Sequence, residues 1–114
     1  MSHPDPVITL TDDTLADALA RGPIVIDFSA DWCAPCRAFE PVFDGFAERV
    51  SDLAFARCDV DANPQVAARY RVMSIPTVVV ADVDGTELAR QSGAVSTARF
   101  AAFLAPFTGR PAAG

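Results

Sequence analysis

Cysteine is scarce, with three in 114 residues, too few for the disulfide framework of a small secreted scaffold. Histidine is scarcer: His3 stands alone. A structural zinc draws on four ligands, usually two Cys-x-x-Cys pairs or one pair with two histidines, and one pair plus the solitary Cys58 and His3 do not make that set. No metal is expected. Positive charge is in deficit, since the net charge is −6 and the pI near 4.4, so the basic patch that a nucleic acid or an anionic membrane surface requires is lacking. No apolar run reaches membrane-spanning length, and the leading MSHPDPVITL has neither a basic n-region nor an apolar h-region. The expectation is a cytoplasmic protein, where a close cysteine pair is catalytic rather than structural. No nucleotide-binding glycine motif is present, so no cofactor is expected, and no repeat, low-complexity tract or linker divides the chain.

What is present is one domain's worth of chain, 51% hydrophobic, enough to bury a core. Its organising stretch is Ile24 to Arg37, IVIDFSADWCAPCR. Ile24, Val25, Ile26 and Phe28 suit a strand covered on both faces. Phe39, Val42, Phe43, Phe46, Ala47 and Val50 then recur at helical spacing. The cysteines therefore sit where a strand hands over to a helix. A helix start carries unpaired N–H groups and the positive end of the macrodipole, which stabilise a thiolate. This reading puts Cys33 at or just before the first turn, exposed, and Cys36 one turn further in, with Pro35 where no N–H is needed. Residues three apart share a helix face, so the two sulfurs come within bonding reach. A free thiol with pKa about 8.5 is only about 3% thiolate at neutral pH, and a lowered pKa raises that fraction. Falling nucleophilicity cancels much of the gain. The second thiol matters more, because it turns release of a mixed disulfide into an intramolecular step.

The remaining elements follow in order. Residues 1–6 read as a loose tail, with His3 given no ligand role. Val7–Leu10 suits a short edge strand, and Thr11, Asp12 and Asp13 are N-cap candidates for a first helix stopped by Gly22 and Pro23. Pro41 should kink the long helix. Leu53–Val60 alternates, Ala54, Ala56, Cys58 and Val60 on one face and Phe55, Arg57 and Asp59 on the other. Asn63-Pro64 caps a short helix, Val78–Val80 is a strand, and Asp84-Gly85 turns a hairpin into Thr86–Ser92. Ser96 caps a last helix ended by Pro106, and residues 108–114 form a second tail. The domain is 7–107, an α/β fold with a central mixed sheet of about five strands flanked by about four helices.

WCAPC after VIDFSAD, SIPT at Ser74–Thr77, Asp84-Gly85 and then Gly93-Ala94 together resemble the thioredoxin family, matching from Val7 to Phe107. The VIDF and CR wording is similar to the thioredoxin-2 branch, without that branch's N-terminal zinc-binding cysteines. The resemblance implies the thioredoxin fold and a redox disulfide between Cys33, the nucleophile, and Cys36, the resolving thiol. It implies a substrate groove formed by Trp32, Ala34, Pro35, Ile75, Pro76, Gly93 and Ala94, with Pro76 cis and Met73 beside it. Asp27 lies in an apolar strand, where burial raises a carboxyl pKa and suits it to exchange a proton with Cys36; the competing reading is a strand-end aspartate that reaches water. The family carries a buried aspartate at the matching place. Arg57 stands where the family usually has lysine, and Arg57 and Arg37 are the pKa-tuning candidates, although a guanidinium does not titrate as lysine does. Cys58 reads as a core residue, with a regulatory thiol as the sharper alternative.

Two departures from the family are Ala34, where its commonest motif has glycine, and Ser29, where tryptophan is common. The activity implied is protein-disulfide reduction by dithiol–disulfide exchange. An NADPH-dependent flavoprotein thioredoxin reductase would supply the electrons, and disulfide-bearing clients such as ribonucleotide reductase, peroxiredoxins and methionine sulfoxide reductases would receive them. A monomer is expected. The alternatives are an oxidase or isomerase in an oxidising compartment and a non-redox binding or scaffold subunit.

Overall fold

The computed structural model describes residues 6–108; most of the two expected tails, with His3, lies outside the described residues. Among the described residues, five strands and four helices follow in the order β1 (Val7–Thr9), α1 (Leu15–Leu19), β2 (Ile24–Ser29), α2 (Ala34–Arg49), β3 (Ala54–Asp59), α3 (Pro64–Arg69), β4 (Thr77–Ala81), β5 (Glu87–Ser92) and α4 (Thr97–Leu104), with a single 3-10 turn at Ala105–Phe107. The strands form one sheet in the order β1-β3-β2-β4-β5. β1 and β2 both run parallel to β3, whereas β4 is antiparallel to β2 and β5 to β4. The sheet is mixed and its β5 edge antiparallel, as the hairpin signal predicts.

β2 is central and buried along Ile24–Phe28, which explains a run of β-branched and aromatic residues with no polar alternation except Asp27. The two faces carry separate cores. On one, Ile24, Ile26, Phe28, Ala56, Cys58 and Val79 pack with Leu19, Val66 and Tyr70 of the α1 and α3 side. On the other, Val25, Phe55, Val78 and Val80 meet Phe39, Phe43 and Ala47 of α2 and Phe100 and Leu104 of α4. Phe100 is the hub of this second core, its ring 5.2 Å from Phe39 and from Phe46, both edge-on, and 5.9 Å from Phe43. Edge-to-face pairs add to the area term, and this cluster presses α2 onto the sheet beneath the cysteine pair. α2 remains one helix through Pro41.

The capping differs from expectation at two helix starts, those of α1 and α3. Thr14, not Thr11, Asp12 or Asp13, is the N-cap of α1, and its side chain accepts no cap hydrogen bond from that helix. Asp12 instead reaches across the fold, accepting from the N–H groups of Val66 at 2.9 Å and Gln65 at 3.4 Å. It thereby satisfies the start of α3 that Asn63 was expected to cap. Asn63 is turned the other way, its Oδ1 accepting from the Asp12 N–H at 3.0 Å and its amide donating to Asp59 O at 3.1 Å. The reason is reciprocity: each residue satisfies a backbone group of the other's segment, which a local cap does not do. Ser96 caps α4 as read, accepting from the Arg99 N–H at 3.2 Å. At the β4–β5 turn Gly85 has φ +87° and its carbonyl receives the Tyr70 hydroxyl at 2.9 Å. An added Cβ there would strike Arg69 as well as strain the backbone.

Truncating the hub should be costly. Phe100→Ala is expected to lose about 3–5 kcal/mol by urea denaturation. Asp12→Ala should lose about 1 kcal/mol, with amide exchange accelerated at Gln65 and Val66 rather than in α1.

Candidate active site

β2 delivers the chain to Ser29, and α2 starts five residues later with Cys33 as its N-cap and Pro35 in the first turn. Cys33 has extended backbone geometry, and its sulfur accepts from the Cys36 N–H at 3.2 Å. This is the contact the strand-to-helix handover calls for: an orphan donor of the first turn aimed at the outer sulfur. The two cysteines form a disulfide with their Cα atoms 5.2 Å apart. Both are buried, each 4% exposed. For Cys36 this agrees with a position one turn in; for Cys33 it corrects the expected exposure. The cause is packing: the bonded pair sits with Ala30 against Val60 and Ile75, and the Cys33 sulfur lies 3.9 Å from the Ile75 carbonyl oxygen.

Of the residues expected to form a groove, Ile75 is the one shown against that sulfur, and the others flank it in the chain or through hydrogen bonds. The Ile75–Pro76 bond is cis and Pro76 is buried. Gly93, with φ +95°, donates its N–H to Pro76 O at 2.8 Å, joining the Gly93-Ala94 corner, which is exposed, to the cis loop. On the other side Trp32 is 68% exposed and Met73 92%; with Val60, Val72, Ser74 and Ile75 they line a shallow apolar hollow. Trp32 is anchored by Nε1 donating to Asp61 Oδ2 at 2.7 Å, a partner sequence reasoning missed. Ala34 and Pro35 are exposed beside the disulfide.

Behind the pair, Asp27 is 1% exposed and pairs with Arg57, its register neighbour on β3, at 3.1 Å between Oδ2 and Nε. Burial pushes the Asp27 carboxyl up to about 6; Arg57 pulls in the opposite direction, and Asp44 and Glu40 add to the rise. The strand-end reading, an aspartate that reaches water, is thus replaced by a buried one, and Arg57 lowers the pKa without restoring it. Arg57 makes two further ion pairs, Nη2 to Asp44 at 2.8 Å and Nη1 to Glu40 at 3.4 Å. Sequence reasoning missed both, yet the signal exists: Cys36, Glu40 and Asp44 are four apart and share one helix face. A pocket of about 260 Å³ lined by Ser29, Ala30, Asp31, Cys36, Arg37, Glu40 and Arg57 connects Cys36 to this charge cluster. Arg37 is on its rim and donates to the Asp31 carbonyl. Cys58 is free and fully buried, its thiol pushed up to about 12 by burial first and by Asp12 and Asp59 next. A thiol so protonated is a poor nucleophile, which favours the core reading.

The comparisons agree with this geometry. The Thioredoxin family matches residues 6–106. The thioredoxin of Mycobacterium tuberculosis is 41% identical over 96 residues, 82% of each chain, and that of Chlamydia trachomatis 36% identical over 87 residues, 76% of this chain and 84% of the relative. Among solved structures, a mutant thioredoxin from Halobacterium salinarum NRC-1 superposes with TM-score 0.83 at 30% identity, covering 97% of this chain and 98% of that one. Trichomonas vaginalis thioredoxin gives 0.77 at 31%, over 91% and 99%. A disulfide held at a helix start beside a cis-proline loop, and relatives of this closeness over nearly the whole domain, lead to one assignment: the chain belongs to the thioredoxin family and is a thiol–disulfide oxidoreductase.

Proposed function

We propose that the chain works as a protein-disulfide reductase with Cys33 as nucleophile, Cys36 as resolving thiol and Asp27 as the proton partner of Cys36. The observation that carries this reading is the Cys36 N–H directed at the Cys33 sulfur, since it is a fixed donor that favours the thiolate of one sulfur over the other. In the reduced protein the Cys33 thiolate attacks one sulfur of a client disulfide, and the first client thiolate leaves. Asp27 takes the Cys36 proton through water in the adjoining pocket. Cys36 then attacks the Cys33 sulfur, the second client thiolate leaves, and the Cys33–Cys36 bond is restored. Two electrons have passed to the client, and a reductase must return them; a flavoprotein thioredoxin reductase is the donor we infer.

The groove of Trp32, Ala34, Pro35, Ile75, Pro76, Gly93 and Ala94 suits an extended client segment, with apolar contact on the Trp32 and Met73 side and backbone pairing at Ile75. Arg57 tunes Asp27 by ion pairing; Arg37, at the Asp31 carbonyl, steadies the loop before Trp32. Residues 7–107 form the working unit, and a monomer in the cytoplasm is the setting we infer. No helix among the described residues is long and apolar enough to cross a membrane, and the acidic charge fits protein clients better than nucleic acid.

The exchange mechanism is checked with insulin and dithiothreitol. Cys33→Ser should fall to the uncatalysed rate, and Cys36→Ser should accumulate a client joined to Cys33, seen by mass under non-reducing conditions; Cys33→Ser activity equal to the parent overturns the assignment. The buried carboxyl predicts a pH signature of its own. A folded-state pKa of about 6 against about 3.9 unfolded means that the folded state holds its proton more tightly. The cost is absent below pH 4 and develops as pH rises through 6. Asp27→Asn should therefore match the parent near pH 4 and exceed it by about 2–3 kcal/mol at pH 7–8 in urea denaturation, while slowing resolution of the mixed disulfide.

A further inference from the structure

Arg57 has three carboxylates to serve and one guanidinium to serve them with. A guanidinium facing a single carboxylate forms two parallel N–H···O bonds. Here Asp27 receives only the Nε bond, at 3.1 Å to Oδ2, although β3 places Arg57 directly beside it in register. The terminal nitrogens point away, Nη2 to Asp44 Oδ1 at 2.8 Å and Nη1 to Glu40 Oε2 at 3.4 Å. Asp27 Oδ1 is consequently buried with no hydrogen-bond partner. Such an atom is costly as an anion, and protonation of the carboxyl relieves that cost. The arrangement is held by α2: its Phe43 ring lies 5.4 Å from the guanidinium carbon, and its Cys36, Glu40 and Asp44 lie along one face.

We propose that Glu40 and Asp44 are positioning residues for the active-site proton transfer: by claiming both terminal nitrogens of Arg57 they deny Asp27 a two-pronged ion pair and keep its second oxygen free to take and release a proton. The proposal rests on the assignment of Asp27 as the proton partner of Cys36. Because arginine keeps its own proton throughout the working pH range, the strength of this ion pair is set by where the guanidinium points, and α2 sets that. The same helix carries Cys36, so the thiol and the groups that govern its proton partner move as one body. The groups facing Asp27 are accounted for: Arg57 from β3, Glu40 and Asp44 from α2, Val78 opposite it on β4, and Cys36, Asp31 and Arg37 around the adjoining pocket.

The test follows the carboxyl carbon of Asp27 by NMR against pH in the full chain, with Asp27→Asn to assign the signal. The variants are E40Q, D44N and E40Q/D44N, and E48Q removes a charge one turn beyond Asp44 as the control. Glu40 and Asp44 are 48% and 42% exposed, so these changes leave the core intact. The titration midpoint is expected to fall by about one pH unit in the double variant, by less in each single one, and not in E48Q. The pH at which mixed-disulfide resolution becomes half-maximal should fall with it. A midpoint that stays or rises in E40Q/D44N, or an equal fall in E48Q, overturns the proposal. A midpoint that falls while resolution is indifferent to pH supports the positioning and overturns the role of Asp27 towards Cys36.

Discussion

The unpaired N–H groups at the start of α2 are the constraint on which the chemistry depends. A helix cannot satisfy its first donors internally, and here one of them is satisfied by a cysteine sulfur. That choice has a geometric precondition. The helix must begin where β2 ends, be stopped from sliding and lie flat on the sheet, or the donor points elsewhere. Proline at the first turn removes one donor that would otherwise need a partner, and the ring cluster around Phe100 holds the helix down.

A second, opposed requirement sits immediately below. An ionised carboxylate in the middle of β2 costs about 3 kcal/mol at neutral pH if its pKa is displaced by about 2 units, a large part of the roughly 5–15 kcal/mol that holds a typical domain together. Hydrophobic residues at that position would avoid the cost, as the neighbours Ile26 and Phe28 do. Arg57 returns part of the loss by ion pairing with it. Complete neutralisation by a bidentate pair would remove the cost and, with it, the ability to exchange a proton near neutral pH.

Much of this was legible in the chain. Period-two and period-3.6 patterns, the Gly-Pro stop after α1, the Asp84-Gly85 turn and the Ser96 cap are local signals, and each element they mark lies where the pattern puts it. The Cys-x-x-Cys position at a strand–helix junction is local as well. What could not be read is long-range. Asp12 caps a helix start 54 positions further along the chain, and no window around Asp12 contains that information; the nearby α1 makes a local cap the natural inference. Cys33 looks exposed from its place at a helix start, and only Val60 and Ile75, brought in by two distant segments, cover it. Glu40 and Asp44 are the instructive case between these extremes. Their spacing from Cys36 was visible, but exposed carboxylates on a helix are ordinarily solvated, and only the parallel register of Asp27 with Arg57 makes them part of the site.

A small side chain at Ser29 stands between two hollows beside the active site. Ser29, Asp31 and Arg57 line both the pocket at Cys36 and a second hollow of about 400 Å³ that runs along β1 to Asn63. A bulky aromatic at Ser29, as the family resemblance leads one to expect, would fill the space where the two meet. With serine there, the two hollows share one thin wall at the charged side of the active site. On the proton role proposed for Asp27, a proton passed from Cys36 would then have a second way out to solvent on the β1 side. The shared wall of Ser29, Asp31 and Arg57 thus places the ion-pair cluster between two hollows, on the side of the disulfide away from Trp32 and Met73.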